Sequence, residues 1–401
     1  QMSFEIFLIV AILVPVISIF FMVKDHTPLK SLFDRKHRVE AIALFFIFIT
    51  ALVMRLLYID TRPGWELDEV VYMQVTNNLI KSGYVLLNNA PYLSHPPFYF
   101  YILGGDFHLL GAGVEQSRIL ASISQVTAFV LLYFVMRDMR GRYAAILAAC
   151  FFALDGWIIF TARVGWIENT QLLLIALSIW VYYKAQQKTN PWWYVASGIA
   201  IGSVVIYKHI GAFIFIMFIV HFIFTRRNIR MHIWLAIYAI LTIAVYAVIM
   251  YSSWGQVFIH QYASQINRTL GVNFSPGLNY SFDKVIQAIG SRYWIFFTTI
   301  FFMLYGIPLV IYRSHKAIKD KDRRENIILA CALSAVIFLG AISLKSPHYF
   351  ILLIVPLGCY IACDVILYLK PKWILLLVFV YVFLACITWN LRFGEVTSNL
   401  L

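Results

Sequence analysis

Apolar runs of about 18 residues or more recur along the whole chain, each long enough as a helix to cross a ~30 Å hydrocarbon core. Little else can be done with such runs: a soluble fold of 401 residues could not cover them with the 13% of charged residues available. Ordinary soluble domains carry about 25% charged and about 45–50% apolar residues, against 62% apolar here. No polar stretch is long enough for an independent soluble domain, so residues 1–401 read as one membrane domain. The pattern predicts an all-α polytopic bundle of about 11–12 transmembrane helices, with spans near 4–23, 39–58, 116–136, 143–161, 167–184, 192–207, 210–225, 231–251, 293–312, 326–343, 349–369 and 373–391. The run 4–23 has signal-peptide length but lacks a basic leader and a small-residue cleavage site, so it reads as a span.

The net charge of +13 comes from short basic clusters between apolar runs, not from an arm or stripe suited to nucleic acid. The alternate loops 24–38, 137–142, 184–190, 226–230, 313–324 and 370–372 hold 21 of the 32 Lys and Arg residues, which assigns them to the cytoplasm and both termini to the outside. Cys150, Cys331, Cys359, Cys363 and Cys386 fall inside apolar segments as small core residues, without a metal or disulfide spacing.

This topology leaves two large external loops, 59–115 and 252–292. The second carries three N-glycosylation acceptor patterns, at Asn267, Asn273 and Asn279. Their use implies a eukaryotic or, for so compact a chain, an archaeal host. In the first loop, residues 69–82 form a predicted helix with Val71, Val75 and Leu79 on an apolar face laid on the membrane, ending at Gly83. Asp68 then falls at the N-cap and Glu69 in the first turn. The plain role is a helix cap with favourable dipole charge, about 1 kcal/mol. The sharper role is a general base at the bilayer rim, in reach of a lipid-borne substrate. The apolar segment 97–111, interrupted by Gly104, Gly105, Asp106 and His108, reads as interfacial or re-entrant.

Three further sets of ionisable residues break apolar surroundings at the same face: Arg163 with Glu168, Lys208 with His209, and Lys345 with His348 and Tyr349. Each has a structural explanation, namely an Arg163–Glu168 ion pair, a snorkelling Lys208, and neutral interfacial histidines at 95 and 348. Ionisable groups at such depth are costly and mark functional sites. Several of them on one face suggest a site for an anionic lipid headgroup.

The ordered set Asp68-Glu69-Val70, His95-Pro96-Pro97, Arg163 before an acidic residue, Tyr207-Lys208-His209 and Lys345-Ser-Pro-His-Tyr349 resembles the protein O-mannosyltransferases of the GT-C superfamily and the related aminoarabinose transferases that modify lipid A. The likeness covers roughly 39–370. It implies a GT-C-like fold and transfer of a hexose, mannose favoured, from a polyprenyl- or dolichyl-phosphate donor with inversion. The acceptor would be an extracytoplasmic hydroxyl of protein, glycan or lipid. Carried over, Asp68 is the catalytic base and Glu69 its neighbour in the acceptor or sugar site. His95, Arg163 and Lys208 face the donor phosphate, with Lys345 and His348 near the same headgroup, and Glu168, His209 and Tyr349 in the substrate site. Glu168 stands where the family usually has aspartate, His209 where glycine is common, and the family's large soluble insertion is absent. No metal is required by such chemistry, although a divalent ion (Mg or Mn) bridging Asp68, Glu69 and the phosphate fits it. The rival readings are a lipid-linked sugar flippase or transporter, against which the chain shows no internal repeat, and a non-catalytic subunit of a glycosylation complex, which would have no need of both carboxylates. The enzyme would be a multi-pass protein of a prokaryotic plasma membrane or the ER, working on the non-cytoplasmic face.

Overall fold

The computed structural model describes residues 38–57, 59–60, 67–187, 190–225, 229–270, 297–320, 326–341, 349 and 351–392. The span 4–23, Asn273, Asn279, Lys345 and His348 lie outside the described residues. The described chain is a helical bundle: α1 (Arg38–Leu56), α2 (Leu67–Ser82), α3 (Phe98–Leu110), α4 (Val114–Arg140), α5 (Arg142–Leu154), α6 (Gly156–Arg163), α7 (Ile167–Gln187) and α8 (Pro191–Tyr207). It continues with α9 (Phe213–Thr225), α10 (Ile229–Trp254), α11 (Gln256–Leu270), α12 (Phe297–Asp320), α13 (Asn326–Ala341), α14 (Ile351–Val365) and α15 (Pro371–Arg392). A two-residue antiparallel ladder, β1 (Leu86–Leu87) with β2 (Ala90–Pro91), lies between α2 and α3.

Among the described residues α1, α4 and α10 are each long and apolar enough to cross a bilayer alone, and α5 with α6 makes a fourth candidate bent by 51°. The bend sits at Asp155, whose carboxylate accepts from the Ile158 amide at 3.0 Å and so restarts the helix after the α5 C-terminus. The predicted span 143–161 is therefore one apolar stretch in two pieces. The predicted pair 192–207 and 210–225 is likewise separated at Lys208, whose extended backbone (φ −158°, ψ 131°) is followed by a 3-10 turn over His209–Ala212.

Small residues set the closest helix approach. On α8, a Cβ at Gly198 would lie 2.6 Å from the Leu235 carbonyl oxygen, and one at Gly202 would lie 2.6 Å from Thr242 Cβ, both on α10. This four-residue glycine spacing lets two apolar helices touch backbone to backbone, where lipid offers no hydrophobic drive for association. α4, α5, α7 and α14 form the buried centre of the main core.

Three expectations change. α2 starts at Leu67, so Asp68 lies inside the first turn and not at the N-cap. Its buried stripe is Glu69, Tyr72, Val75, Thr76 and Leu79, and this face meets α3 and not lipid. α3 runs unbroken through Gly104, Gly105 and Asp106, because glycine costs a helix about 1 kcal/mol and packing on α2 and α4 offsets that. The stretch 252–292 opens with the end of α10 and all of α11, so Asn267 stands on a helix and not in a loop. At the end assigned to the cytoplasm, Glu40 takes Arg137 at 2.7 Å and the Tyr133 hydroxyl, and Asp364 takes Arg313 at 2.5 Å.

Candidate active site

The first turn of α2 presents two adjacent carboxylates to different surroundings. Asp68 is half-buried. Glu69 is fully buried, and both its oxygens accept from Arg118 of α4, Nε to Oε1 at 2.7 Å and Nη2 to Oε2 at 2.8 Å. The remaining arm of that guanidinium, Nη1, donates to the Ile59 carbonyl at 2.9 Å. A two-point charged pair of this kind fixes both partners in the plane of the fork. Gly165 closes over it with φ +59°, and a Cβ there would stand 3.1 Å from Glu69 Oε1 and 2.9 Å from the Ser117 hydroxyl. Both the left-handed backbone and the missing side chain are needed at that position.

Next to the carboxylates the floor is aromatic. Tyr72, one turn along α2, packs edge-on against His95 (5.8 Å between ring centroids), Tyr99 (5.3 Å) and Phe100 (6.0 Å). Tyr92 flanks His95 at 6.0 Å, and the Tyr99 hydroxyl donates to the Gly165 carbonyl at 3.2 Å. Tyr207 continues the floor against Phe98 and Tyr99.

Behind it stands the buried cation. Lys208 Nζ donates to Glu168 Oε1 at 2.5 Å and lies 5.6 Å from the centre of the Tyr349 ring. Glu168 occupies the first turn of α7, where a carboxylate is favoured by the helix dipole. The chain break at Lys208 is held by Gln171, one turn further along α7, whose amide donates to the Lys208 carbonyl at 2.9 Å and to the Val204 carbonyl at 3.3 Å. Asp68 is close enough for its charge to act on both Tyr72 and Lys208. His209 is buried directly after the lysine. A turn below Glu168 and Tyr349, residues Leu172, Ile175, Phe213, Cys331, Leu352 and Pro356 line a narrow apolar cleft between helices.

The structure thus gathers Asp68, His95, Glu168, Lys208 and Tyr349 around one aromatic floor. Two expected members do something else. Arg163, expected at a donor phosphate or paired with Glu168, donates from Nη1 to the carbonyls of Met54 (3.0 Å), Arg55 (3.2 Å) and Leu57 (2.7 Å). It caps the C-terminal end of α1, where helical carbonyls have no partner of their own. Glu168 has Lys208 instead. Glu69, expected beside the acceptor, is closed inside its pair with Arg118. Among the described residues no group of three His, Cys, Asp or Glu side chains has metal-binding geometry.

Sequence reasoning missed Arg118, Gln125 and Gln171. Arg118 and Gln171 each close a run of four polar residues at the start of an otherwise apolar helix, and that run was the available signal. Gln125 is the hub of a buried net: its oxygen accepts from Arg55 at 3.1 Å, and its nitrogen donates to Ile158 O, Thr161 Oγ1 and Asn169 Oδ1 at 2.9, 3.0 and 2.5 Å. The net ties the end of α1, the middle of α4 and α6 to the residue following Glu168.

Residues 94–254 match the family described as dolichyl-phosphate-mannose-protein mannosyltransferase. That stretch contains His95, Glu168 and Lys208 and stops short of Asp68. No curated protein matches the sequence at a significant level. Among solved structures, ArnT from Cupriavidus metallidurans, crystallised with undecaprenyl phosphate, superposes with a TM-score of 0.63 at 19% identity, over 83% of this chain and 60% of its own. The archaeal oligosaccharyltransferase AglB from Archaeoglobus fulgidus, in complex with an inhibitory peptide and a dolichol-phosphate, gives 0.56 at 14% identity, over 90% and 56%. The chain spans about 60% of the length of the ArnT it matches. Its fold is that of a GT-C multi-pass membrane protein of the ArnT and mannosyltransferase type.

Proposed function

We propose that the protein is an inverting glycosyltransferase that moves a monosaccharide, mannose in the first instance, from a polyprenyl- or dolichyl-phosphate donor to an extracytoplasmic hydroxyl. The observation that carries this reading is the buried Lys208–Glu168 pair beside the aromatic cluster, with the half-buried Asp68 on the helical turn before Tyr72. One-step inversion needs a base and a leaving-group cation on opposite sides of the sugar. The undecaprenyl phosphate bound to ArnT and the dolichol-phosphate bound to AglB support the donor class, and the matched family's description supports mannose.

The chemistry follows from the residues. An acceptor hydroxyl attacks the anomeric carbon as its proton passes to an Asp68 oxygen. The bond to the prenyl phosphate oxygen breaks with its electron pair, and the new negative charge falls toward Lys208. Of its three N–H groups, Lys208 gives one to Glu168 among the described residues. The others serve the phosphate, and in so dry a place a fixed cation stabilises that charge strongly. Glu168 keeps the lysine charged and oriented. Glu69 and Arg118 hold the first turn of α2, and with it Asp68, in register. His95, in the ring cluster beside Tyr72, faces the sugar. The apolar cleft below Lys208 suits the start of a prenyl chain.

The test is direct. Purified protein in lipid nanodiscs, given radiolabelled dolichyl-phosphate mannose and a panel of peptide, glycan and lipid acceptors, transfers label, and Asp68→Asn abolishes the transfer. Transfer by Asp68→Asn at the parental rate removes the base assignment. Movement of headgroup across a liposome membrane without any acceptor would favour a transporter instead.

A further inference from the structure

We infer that α11 sets the gap between the two sides of the site, with Gln261 as its positioning residue; the inference rests on the proposed transfer reaction. Gln261 Oε1 accepts from the Leu93 amide at 2.7 Å, and its Nε2 donates to the Pro91 carbonyl at 2.8 Å. One side-chain amide therefore satisfies a donor and an acceptor two residues apart, as the backbone of a neighbouring strand would. The clamped backbone is the return strand of the hairpin, and His95 follows Leu93 by two residues.

The same helix anchors the opposite side. Phe258 of α11 packs with Leu93, Ile206, Tyr246 and Met250 in a small core separate from the main one. Ile206 lies in the last turn of α8, two residues before Lys208. Phe258 meets the Tyr246 ring at 6.1 Å, and Tyr262 stacks on Phe258 at 5.5 Å. α11 thus holds the His95 side by two hydrogen bonds and the Lys208 side by apolar packing, from consecutive turns of one helix. α2 holds the other half of the hairpin, since Asn78 donates to the Leu86 carbonyl at 3.0 Å and Gln74 to Asn88 Oδ1 at 3.0 Å, so the return strand at Pro91 and Leu93 is the part that Gln261 holds. Loss of the clamp would loosen that strand while Lys208 stayed fixed by Glu168.

This predicts a split between donor headgroup and donor sugar. Dolichyl phosphate without a sugar needs only the Lys208 side, so Gln261→Ala and Gln261→Met should bind it within about twofold of the parent. Turnover of dolichyl-phosphate mannose at saturation should fall about tenfold. Hydrogen exchange at residues 91–95 should rise at least about tenfold, while exchange in α8 and α10 holds. Gln261→Glu keeps the acceptor but turns the donor into a second oxygen facing the Pro91 carbonyl, and should behave like Gln261→Ala. A spin-label pair at exposed Ala90→Cys and Ser253→Cys reads the clamp without any activity: one narrow distance in the parent, a broadened one in Gln261→Ala. An unchanged distance distribution, or a loosened hairpin with unimpaired turnover, overturns the inference. Equal loss of dolichyl phosphate binding and turnover, with a lowered melting temperature, shows a merely structural role and also overturns it. A parent protein that clamps but transfers no sugar sinks the transferase reading alone.

Discussion

Asp68 and Glu69 are neighbours in sequence with opposite fates, and the difference is a guanidinium. Arg118 consumes both oxygens of Glu69 and leaves Asp68 facing the aromatic floor. Asp68→Asn should lower turnover by about 10²–10⁴-fold, the usual worth of a positioned general base, with little change in melting temperature. Arg118→Gln should behave differently. It strands a buried carboxylate, which costs about 3–5 kcal/mol, and a thermal melt in detergent should show it before any assay does. Arg118→Lys should not rescue, because an ammonium cannot reach both oxygens and the Ile59 carbonyl from one plane. Asp106 on α3 offers a pH test. Burial raises its carboxyl from the ordinary 3.8 to about 6. The folded state therefore keeps that proton longer than the unfolded chain does, and stability falls as pH climbs from about 4 to about 6. Two units correspond to about 3 kcal/mol, which solvent screening at a half-exposed site cuts to about 1 kcal/mol. Asp106→Asn should thus melt higher than the parent above pH 6, with the difference vanishing below pH 4. An equal difference at both ends of that range would mean packing, and not titration, is responsible.

Helices were the most legible elements, because an apolar run long enough to span announces itself regardless of partner. The predicted starts and stops fall within a few residues of α1, α4, α7, α8 and α10. What the runs could not disclose was contact. α2 buries Val75 and Leu79 as expected, but Tyr72 and Thr76 join them in place of Val71, since the face that meets α3 is chosen by Tyr72 against Tyr99 and Phe100, residues distant in sequence. The bend at Asp155 was likewise hidden, since both halves are apolar. The lysine-bearing break was visible, but not what holds it: Gln171 belongs to the polar first turns of α7, and its carbonyl partners, Val204 and Lys208, are more than thirty residues on. The glycines of α8 carry the element-scale prediction. Gly202→Val pushes side-chain atoms into Thr242 and the Ala239 carbonyl oxygen, 2.9 Å from even a bare Cβ. It should cost about 1–3 kcal/mol by overpacking and separate α8 from α10, read as a drop in melting temperature and faster proteolysis of that pair. The reverse change on the lipid side, Val248→Gly, removes no helix contact and should cost only about 1 kcal/mol of helix propensity.

At the scale of the whole molecule, the buried Lys208–Glu168 pair lies near an apolar cleft, and the proposed lipid phosphate should bridge them. If it binds only the folded chain, dolichyl phosphate at about 100 times its dissociation constant should add about 2.7 kcal/mol of stability. The double variant Lys208→Met with Glu168→Leu removes both charges together, which buried pairs tolerate far better than the loss of one. It should fold and yet show no such gain, whereas an undiminished gain would mean the phosphate sits elsewhere. That ionisable residues interrupting apolar runs would meet, as Glu168 and Lys208 do, was legible in the sequence. Their division of labour was not, since Arg163 and Lys208 look equally exceptional in sequence and only packing makes one a helix cap and the other a candidate phosphate ligand. Arg118 touches Ile59 on one strand of chain and Glu69 on another, so a single side chain moors both banks of the ten-residue passage that delivers Asp68.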